Sequence, residues 1–162
     1  FNNPYWTPDN AIGLTDVTLD TLLLFVPAKV GIGSKSGGSA NFATENSQAY
    51  FWSGLGEKGE NIAANIATTR GGVTLETFAK NNGINLPVFD SANQATVQAW
   101  QEASKAYAKG AQGTVRVVLG DSVKPTSVWN TIELPALKTN PKVTEIIQVD
   151  PKTGIETIIF KK

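Results

Sequence analysis

Apolar positions recur at helical spacing through most of the chain and at strand spacing toward its end. Near the start, Leu19, Leu22 and Leu23 stand at the i, i+3, i+4 spacing of one helix face, which predicts a short helix over 15–25. Residues 31–40, GIGSKSGGSA, carry no apolar period and read as a joint or a loop. Over 60–69, Ile62 and Ile66 share a face with Ala63 and Ala67. Thr74 is placed to cap a second helix through Phe78, with Asn82-Gly83 as its left-handed stop. A third helix takes its cap from Asp90-Ser91. It aligns Val97, Trp100, Ser104, Tyr107 and Ala108 in one stripe up to Gly110 or Gly113.

Beyond that point the pattern becomes extended. Residues 114–119 (TVRVVL) and 127–134 (SVWNTIEL) are rich in β-branched and aromatic side chains, broken by Gly120-Asp121 and Lys124-Pro125. Residues 142–149 and 155–160 flank Asp150-Pro151-Lys152-Thr153-Gly154, which reads as a hairpin turn. Helices first and strands last predict an α+β fold, with N-terminal helices packed on a C-terminal sheet of about four strands.

Composition narrows the chemistry. The 162 residues include no cysteine and no histidine, which removes thiolate nucleophiles, zinc–thiolate sites, imidazole bases and histidine metal ligands. Fourteen basic residues balance fourteen acidic ones, so no overall basic footprint suits nucleic acid. The longest apolar run, Leu22-Leu23-Leu24-Phe25-Val26, stops at Pro27, short of the ~20 residues a membrane span needs. Carboxylates, hydroxyls, amides and aromatic rings remain as the reactive inventory.

Gly54-Leu55-Gly56-Glu57-Lys58-Gly59 fits G-x-G-x-x-G, with Glu76 where a ribose-binding acid would follow. Only QAYFW precedes those glycines and Glu76 falls in a helical pattern, so the expectation is against a dinucleotide fold. The turn could still offer backbone N–H groups to a phosphate. Each tryptophan has an ordinary reading as core, because indole buries a large apolar area. Trp52 stands at the mouth of the Gly-rich turn, Trp100 in the third helix, and Trp129 four residues before Glu133. A regular strand over 127–134 would put Trp129 and Glu133 on one sheet face. Glu133 interrupts an apolar run and must either reach solvent or be held in a site. Glu76 begins a helix, where its charge also suits the dipole.

Several short motifs then fall in order: FWSG at 51–54, TLE at 74–76, Ala99-Trp100 followed by Ser104, TVRVVLGDS at 114–122, SVWNTIE at 127–133, and L-x-x-x-P-K-V at 137–143. Together they resemble the ADP-ribosyl cyclase / NAD glycohydrolase family from Tyr50 to Gln148. The resemblance implies an ADP-ribosyl cyclase-like fold. It places Glu133 at the catalytic glutamate and Glu76 at the acid that contacts the nicotinamide amide. It puts Trp52 and Trp100 around the nicotinamide, Ser53 and Ser104 against the dinucleotide, and Trp129 near the phosphates and ribose. Three features depart from the family. Gly54 replaces a phosphate-contacting arginine, Val128 stands where the family has threonine, and no disulfides exist.

That inventory suits cleavage of NAD at the nicotinamide–ribose bond. The pyridinium leaves as a neutral ring without protonation, so no general acid is required. One carboxylate can stabilise or trap the oxocarbenium-like ribosyl centre, and aromatic faces exclude water. Residues 41–162 are therefore expected to be an NAD-cleaving catalytic domain with NAD or NADP as substrate and no cofactor or metal. Residues 1–40 form an N-terminal segment and joint, read as the end of an upstream region. Because the chain opens on Phe1 and lacks methionine, the expected setting is the toxin domain of a larger exported bacterial protein. It would act in the cytoplasm of a target cell and be neutralised by a cognate immunity protein. The alternatives are an ADP-ribosyltransferase, which usually carries an E-x-E or Q-x-E pair absent here, and a non-catalytic binding module.

Overall fold

The computed structural model describes residues 48–162; the expected helix over 15–25, the Gly/Ser stretch and Trp6 lie outside them. Five strands form one sheet in the order β2-β1-β3-β4-β5. They are β1 (Gln48–Ser53), β2 (Gly72–Thr74), β3 (Gly113–Leu119), β4 (Val143–Val149) and β5 (Glu156–Lys161). The first four run parallel, and β5 returns antiparallel beside β4. The helices are α1 (Gly59–Thr69), α2 (Leu75–Asn81), α3 (Gln94–Gly110) and α4 (Leu134–Thr139).

The α+β class holds, with two differences in arrangement. The sheet has five strands rather than about four, because QAYFWS forms β1 and GVT forms β2. Residues 127–134 are not a strand. Trp129–Glu133 is a π-helical turn, closed by the Leu134 N–H donating to the Trp129 carbonyl, and it runs directly into α4. Ser127 starts this turn as a cap. Its Oγ accepts from the Asn130 N–H at 3.3 Å, and its carbonyl accepts from the Thr131 N–H at 3.0 Å. Trp129 and Glu133 therefore do not share a sheet face; they are one π-turn apart on a helix.

Strand order explains how both faces are covered. From β1 the chain passes through α1 to β2 on one side, then through α2 and α3 to β3 on the other. Right-handed crossovers moving in opposite directions must lie on opposite faces of the sheet. Tyr50 and Trp52 accordingly pack with Ala63 and Ala67 of α1, whereas Ala49 and Phe51 pack with Phe78 of α2 and Tyr107 of α3. Every residue of β1 after Gln48 is buried, which fits a central parallel strand. Tyr107 also donates its hydroxyl to the Val73 carbonyl at 2.7 Å and so ties α3 to β2.

The helix ends largely follow their local chemistry. Thr74 Oγ1 accepts from the Thr77 N–H at the start of α2, and Gly83 adopts φ +66° beyond its end. The cap of α3 is Asn93, not Asp90-Ser91; its Oδ1 accepts from the Ala95 N–H at 3.1 Å. Asp90 instead folds the preceding turn by accepting from the Ala92 N–H at 2.9 Å. At the far end of α3, the buried Asn140 donates its amide toward the carbonyls of Ala108, Lys109 and Ala111 at 3.0, 3.0 and 2.8 Å. The helix ends here with only the Ala111 N–H returning to the Ala108 carbonyl, so one side chain from beyond α4 completes the closure. Substituting Asn140→Ala removes all three bonds and leaves the buried Ala111 carbonyl without this partner; chemical denaturation should show a loss of about 2 kcal/mol with an unchanged m-value.

Candidate active site

Parallel strands collect their functional groups at the carboxyl ends, at the point where strand order reverses. Here the reversal falls at β1. Register aligns Trp52 of β1 with Val118 of β3, and Val118 with Val149 of β4; Ser53 aligns with Leu119. The loops leaving β1 and β3 then meet backbone to backbone. The Gly120 N–H donates to the Ser53 carbonyl at 2.9 Å, and a Cβ on Gly120 would collide with the Gly54 carbonyl oxygen. Gly54 itself has φ +71°, and a Cβ there would lie 2.7 Å from the Val123 nitrogen. Close loop packing accounts for the glycine at position 54.

The third glycine of the G-x-G-x-x-G run has a different neighbour. A Cβ on Gly59 would strike Cζ3 of Trp52, so the first turn of α1 lies against the indole. A parallel strand does precede this run and a helix does follow it, contrary to the expectation from QAYFW alone. Glu76, however, opens α2 rather than ending β2, and Glu57 and Glu60 place negative charge where a phosphate would sit at the start of α1.

Trp52 and Glu76 are joined directly. Tyr50 is level with Thr74 across β1 and β2, so residues just beyond each partner come side by side. The Trp52 indole N–H donates to Glu76 Oε1 at 3.2 Å. Trp52 is only 3% exposed, so it presents this bond and a buried ring, not an open face. Glu76 Oε2 is buried without a hydrogen-bond partner. Burial holds the Glu76 carboxyl above its ordinary value and the Glu60 charge adds to this, against its own backbone N–H and the Trp52 indole.

Glu133 reaches the same place from the opposite side. It is 3% exposed at the end of the π-turn, and its Oε2 makes no hydrogen bond. Burial pushes its carboxyl up to about 8, and the neighbouring charge of Glu76 pushes the same way. The Ser104 hydroxyl, fully buried on α3, acts in the opposite sense, but its approach falls short of a formed hydrogen bond. Trp100 lies one turn before Ser104 on α3, partly exposed, with its indole N–H donating to the Pro87 carbonyl at 2.8 Å.

The structure thus brings Trp52, Glu76, Ser104 and Glu133 together, sets Trp100 one helical turn away, and leaves Ser53 and Gly54 at the end of β1. Trp129 is different. At 2% exposure its ring packs against Phe51 with centroids 6.0 Å apart, so it supports the π-turn from within the core. Sequence reasoning missed Glu60 as a neighbour of this group; its only signal was an acid in the first turn of α1. Among the described residues no group of three or more acidic side chains is arranged to hold a metal ion, and no helix is long and apolar enough to cross a membrane.

No protein-family model matches the chain, and no curated protein matches it in sequence. Solved structures do match. One is an Aplysia cyclase complexed with substrate NGD and product cGDPR, at 25% identity and a TM-score of 0.46. Another is an ADP-ribosyl cyclase complexed with N1-cIDPR, at 25% identity and a TM-score of 0.47. Each match covers 65% of this chain and 49% of the other, so the chain spans about half the length of the structures it resembles.

Holding Glu133 out of water has a consequence for stability. Its carboxyl titrates near 4.5 when unfolded and near 8 when folded, so the folded state binds the proton more tightly between those values. Stability must therefore fall as pH rises across that window, by on the order of 1.4 kcal/mol per pH unit from this group. Glu133→Gln removes that contribution. Its melting temperature should exceed that of the unsubstituted protein at pH 8, and the gap should shrink toward pH 5.

Proposed function

We propose that this chain is an NAD(P) glycohydrolase that cleaves the nicotinamide–ribose bond. The observation that carries the reading is Glu133: a carboxylate held out of water, with one oxygen unbonded, beside a second acid fixed by an indole. The order of motifs from FWSG to SVWNTIE supports the same reading.

The chemistry follows from charge. The nicotinamide ring of NAD is a pyridinium, and cleavage sends the C1′–N bond pair onto its nitrogen. A neutral ring leaves, and positive charge moves to the ribosyl C1′ and ring oxygen. A carboxylate beneath C1′, in a site of low dielectric, stabilises that centre more strongly than it would in water. Water then attacks C1′ and loses its proton to give ADP-ribose; attack by the adenine of the same substrate gives a cyclic product. Ser104 contacts the ribose, and Glu76, steadied by Trp52, accepts from the nicotinamide amide. Trp100, half-buried where Trp52 is buried, is the ring assigned to stack on the nicotinamide.

The raised Glu133 carboxyl is suited to a substrate with a cationic ring. In the free protein at neutral pH it is mostly protonated, and a bound pyridinium favours its ionised form. Incubation with NAD, followed by chromatography, should show nicotinamide and ADP-ribose. The kcat/KM should rise with pH and level off above about 8, and Glu133→Gln should lower it at least about a hundredfold. Label appearing on an acceptor protein instead would indicate a transferase. Absence of nicotinamide release from folded protein would leave the binding module.

The biological setting we propose is the toxin domain of a larger exported bacterial protein, delivered into a target cell and neutralised by an immunity protein. Depletion of a competitor's NAD is the effect such an activity would have. Cells expressing the domain should lose their NAD pool, and cells expressing Glu133→Gln should keep it. An intact pool in cells carrying the active domain overturns this setting.

A further inference from the structure

Three carboxylates are strung between solvent and the interior at the carboxyl end of β1. Glu133 is deepest, Glu76 lies next to it, and Glu60 occupies the first turn of α1 at an intermediate depth. Gly59 fixes that turn, because its Cα packs against the Trp52 ring too closely to admit a side chain. Trp52 in turn holds Glu76 by its indole N–H. Glu60 therefore belongs to the same rigid unit as the acids below it, and its charge acts on Glu76. Lys80, one turn beyond Glu76 on α2, offsets part of the Glu60 charge.

Two further groups point to a ligand here. Glu133 Oε2 and Ser104 Oγ are both buried without hydrogen-bond partners, on residues 3% and 0% exposed. Buried polar atoms left unbonded are uncommon, and each raises the question of what completes it. Glu60 acts on Glu76 and Glu76 on Glu133, and burial raises each carboxyl, so positive charge brought to this end of β1 favours their ionised forms.

We propose that Glu60 is a specificity-determining residue of this site, selecting a cationic pyridinium ring over its neutral counterparts. The proposal rests on the nicotinamide-cleaving reading and extends it. The oxidised dinucleotide carries the positive ring; the reduced dinucleotide and free nicotinamide do not. Glu60 then adds attraction for the substrate, none for the released ring, and none for the reduced form. It touches no reacting atom in this role, and as the charge passes from the ring to the adjacent ribosyl centre it stays several ångströms away, so Glu60 acts mainly on binding.

Two measurements test this together. The first compares KM for NAD with the competitive inhibition constant of NADH in the unsubstituted protein, Glu60→Gln and Glu60→Asp. In Glu60→Gln, KM for NAD should rise about fivefold, the size expected for one unit charge several ångströms away at intermediate dielectric, with kcat within about twofold. The NADH constant should hardly move, and Glu60→Asp should behave as the unsubstituted protein does. The loss should also shrink at high salt.

The second measurement follows tryptophan fluorescence while the protein binds 1-methylnicotinamide, a pyridinium cation, or nicotinamide, its neutral relative. The cation should bind more tightly, and Glu60→Gln should remove most of that preference. Equal effects on the cationic and neutral ligands, or none on either, overturn the assignment of Glu60. A protein that selects the cation through Glu60 yet releases no nicotinamide from NAD would retain this inference while refuting the glycohydrolase reading. Failure to bind either probe refutes the inference itself.

Discussion

A central strand buried on both sides constrains almost everything else in this fold. β1 lies between β2 and β3, parallel to each, and its chain neighbours must leave in opposite directions along the sheet. That requirement puts α1 on one face and α2 and α3 on the other, and it opens the sheet's carboxyl end where the connections diverge. Side-chain alternation along β1 then divides the labour. Phe51 anchors the α3 face through Tyr107, with ring centroids 5.2 Å apart, while Trp52 serves the α1 face and reaches Glu76. The glycines at 54, 59 and 120 are consequences of that geometry, since each lies where backbone or indole leaves no room for a Cβ.

Elements with a clear period and a local stop were legible from sequence. The apolar face of α1, the Thr74 cap, the stripe of α3 and the hairpin around Asp150-Gly154 all sit as expected. In that hairpin Asp150 Oδ1 accepts from the Lys152 and Thr153 N–H groups at 2.8 Å, and Gly154 takes φ +71°. β1 was not legible as a strand because a strand buried on both faces has no polar alternation, and QAYFWS is too short to announce itself by length. β2 has only three residues and takes its identity from pairing with β1.

The stretch from Ser127 to Glu133 shows why propensity alone misled. Val128, Trp129, Thr131 and Ile132 favour a pleated strand by composition. The outcome is decided by hydrogen bonds and packing instead. Ser127 caps the turn, Thr131 Oγ1 returns to the Ser127 carbonyl at 2.8 Å, Asn130 donates its amide to the Lys124 carbonyl at 2.8 Å, and Trp129 is buried against Phe51. The candidate site was legible only as a set of residues matching an ordered pattern of motifs. Proximity of Glu76 and Glu133, with α3 and β3 between them in the chain, is a property of topology that no local period encodes.

The π-turn links the fold to the chemistry. A turn closed by a bond from Leu134 back to Trp129 is wider than an α-helical one, and such turns recur at functional sites because they re-aim a single side chain. Here the wider turn lets Trp129 stay in the core while Glu133, four residues on, is brought up beside Ser104 and Glu76. Burying that carboxylate among charges of its own sign opposes stability, and the surrounding core is what holds it there. On the proposed reading the opposition is useful. The substrate brings positive charge into a site prepared for it, and cleavage removes that charge from the ring that must leave. Binding and release are then set by the same three acids, without a histidine and without a proton transferred to the leaving group.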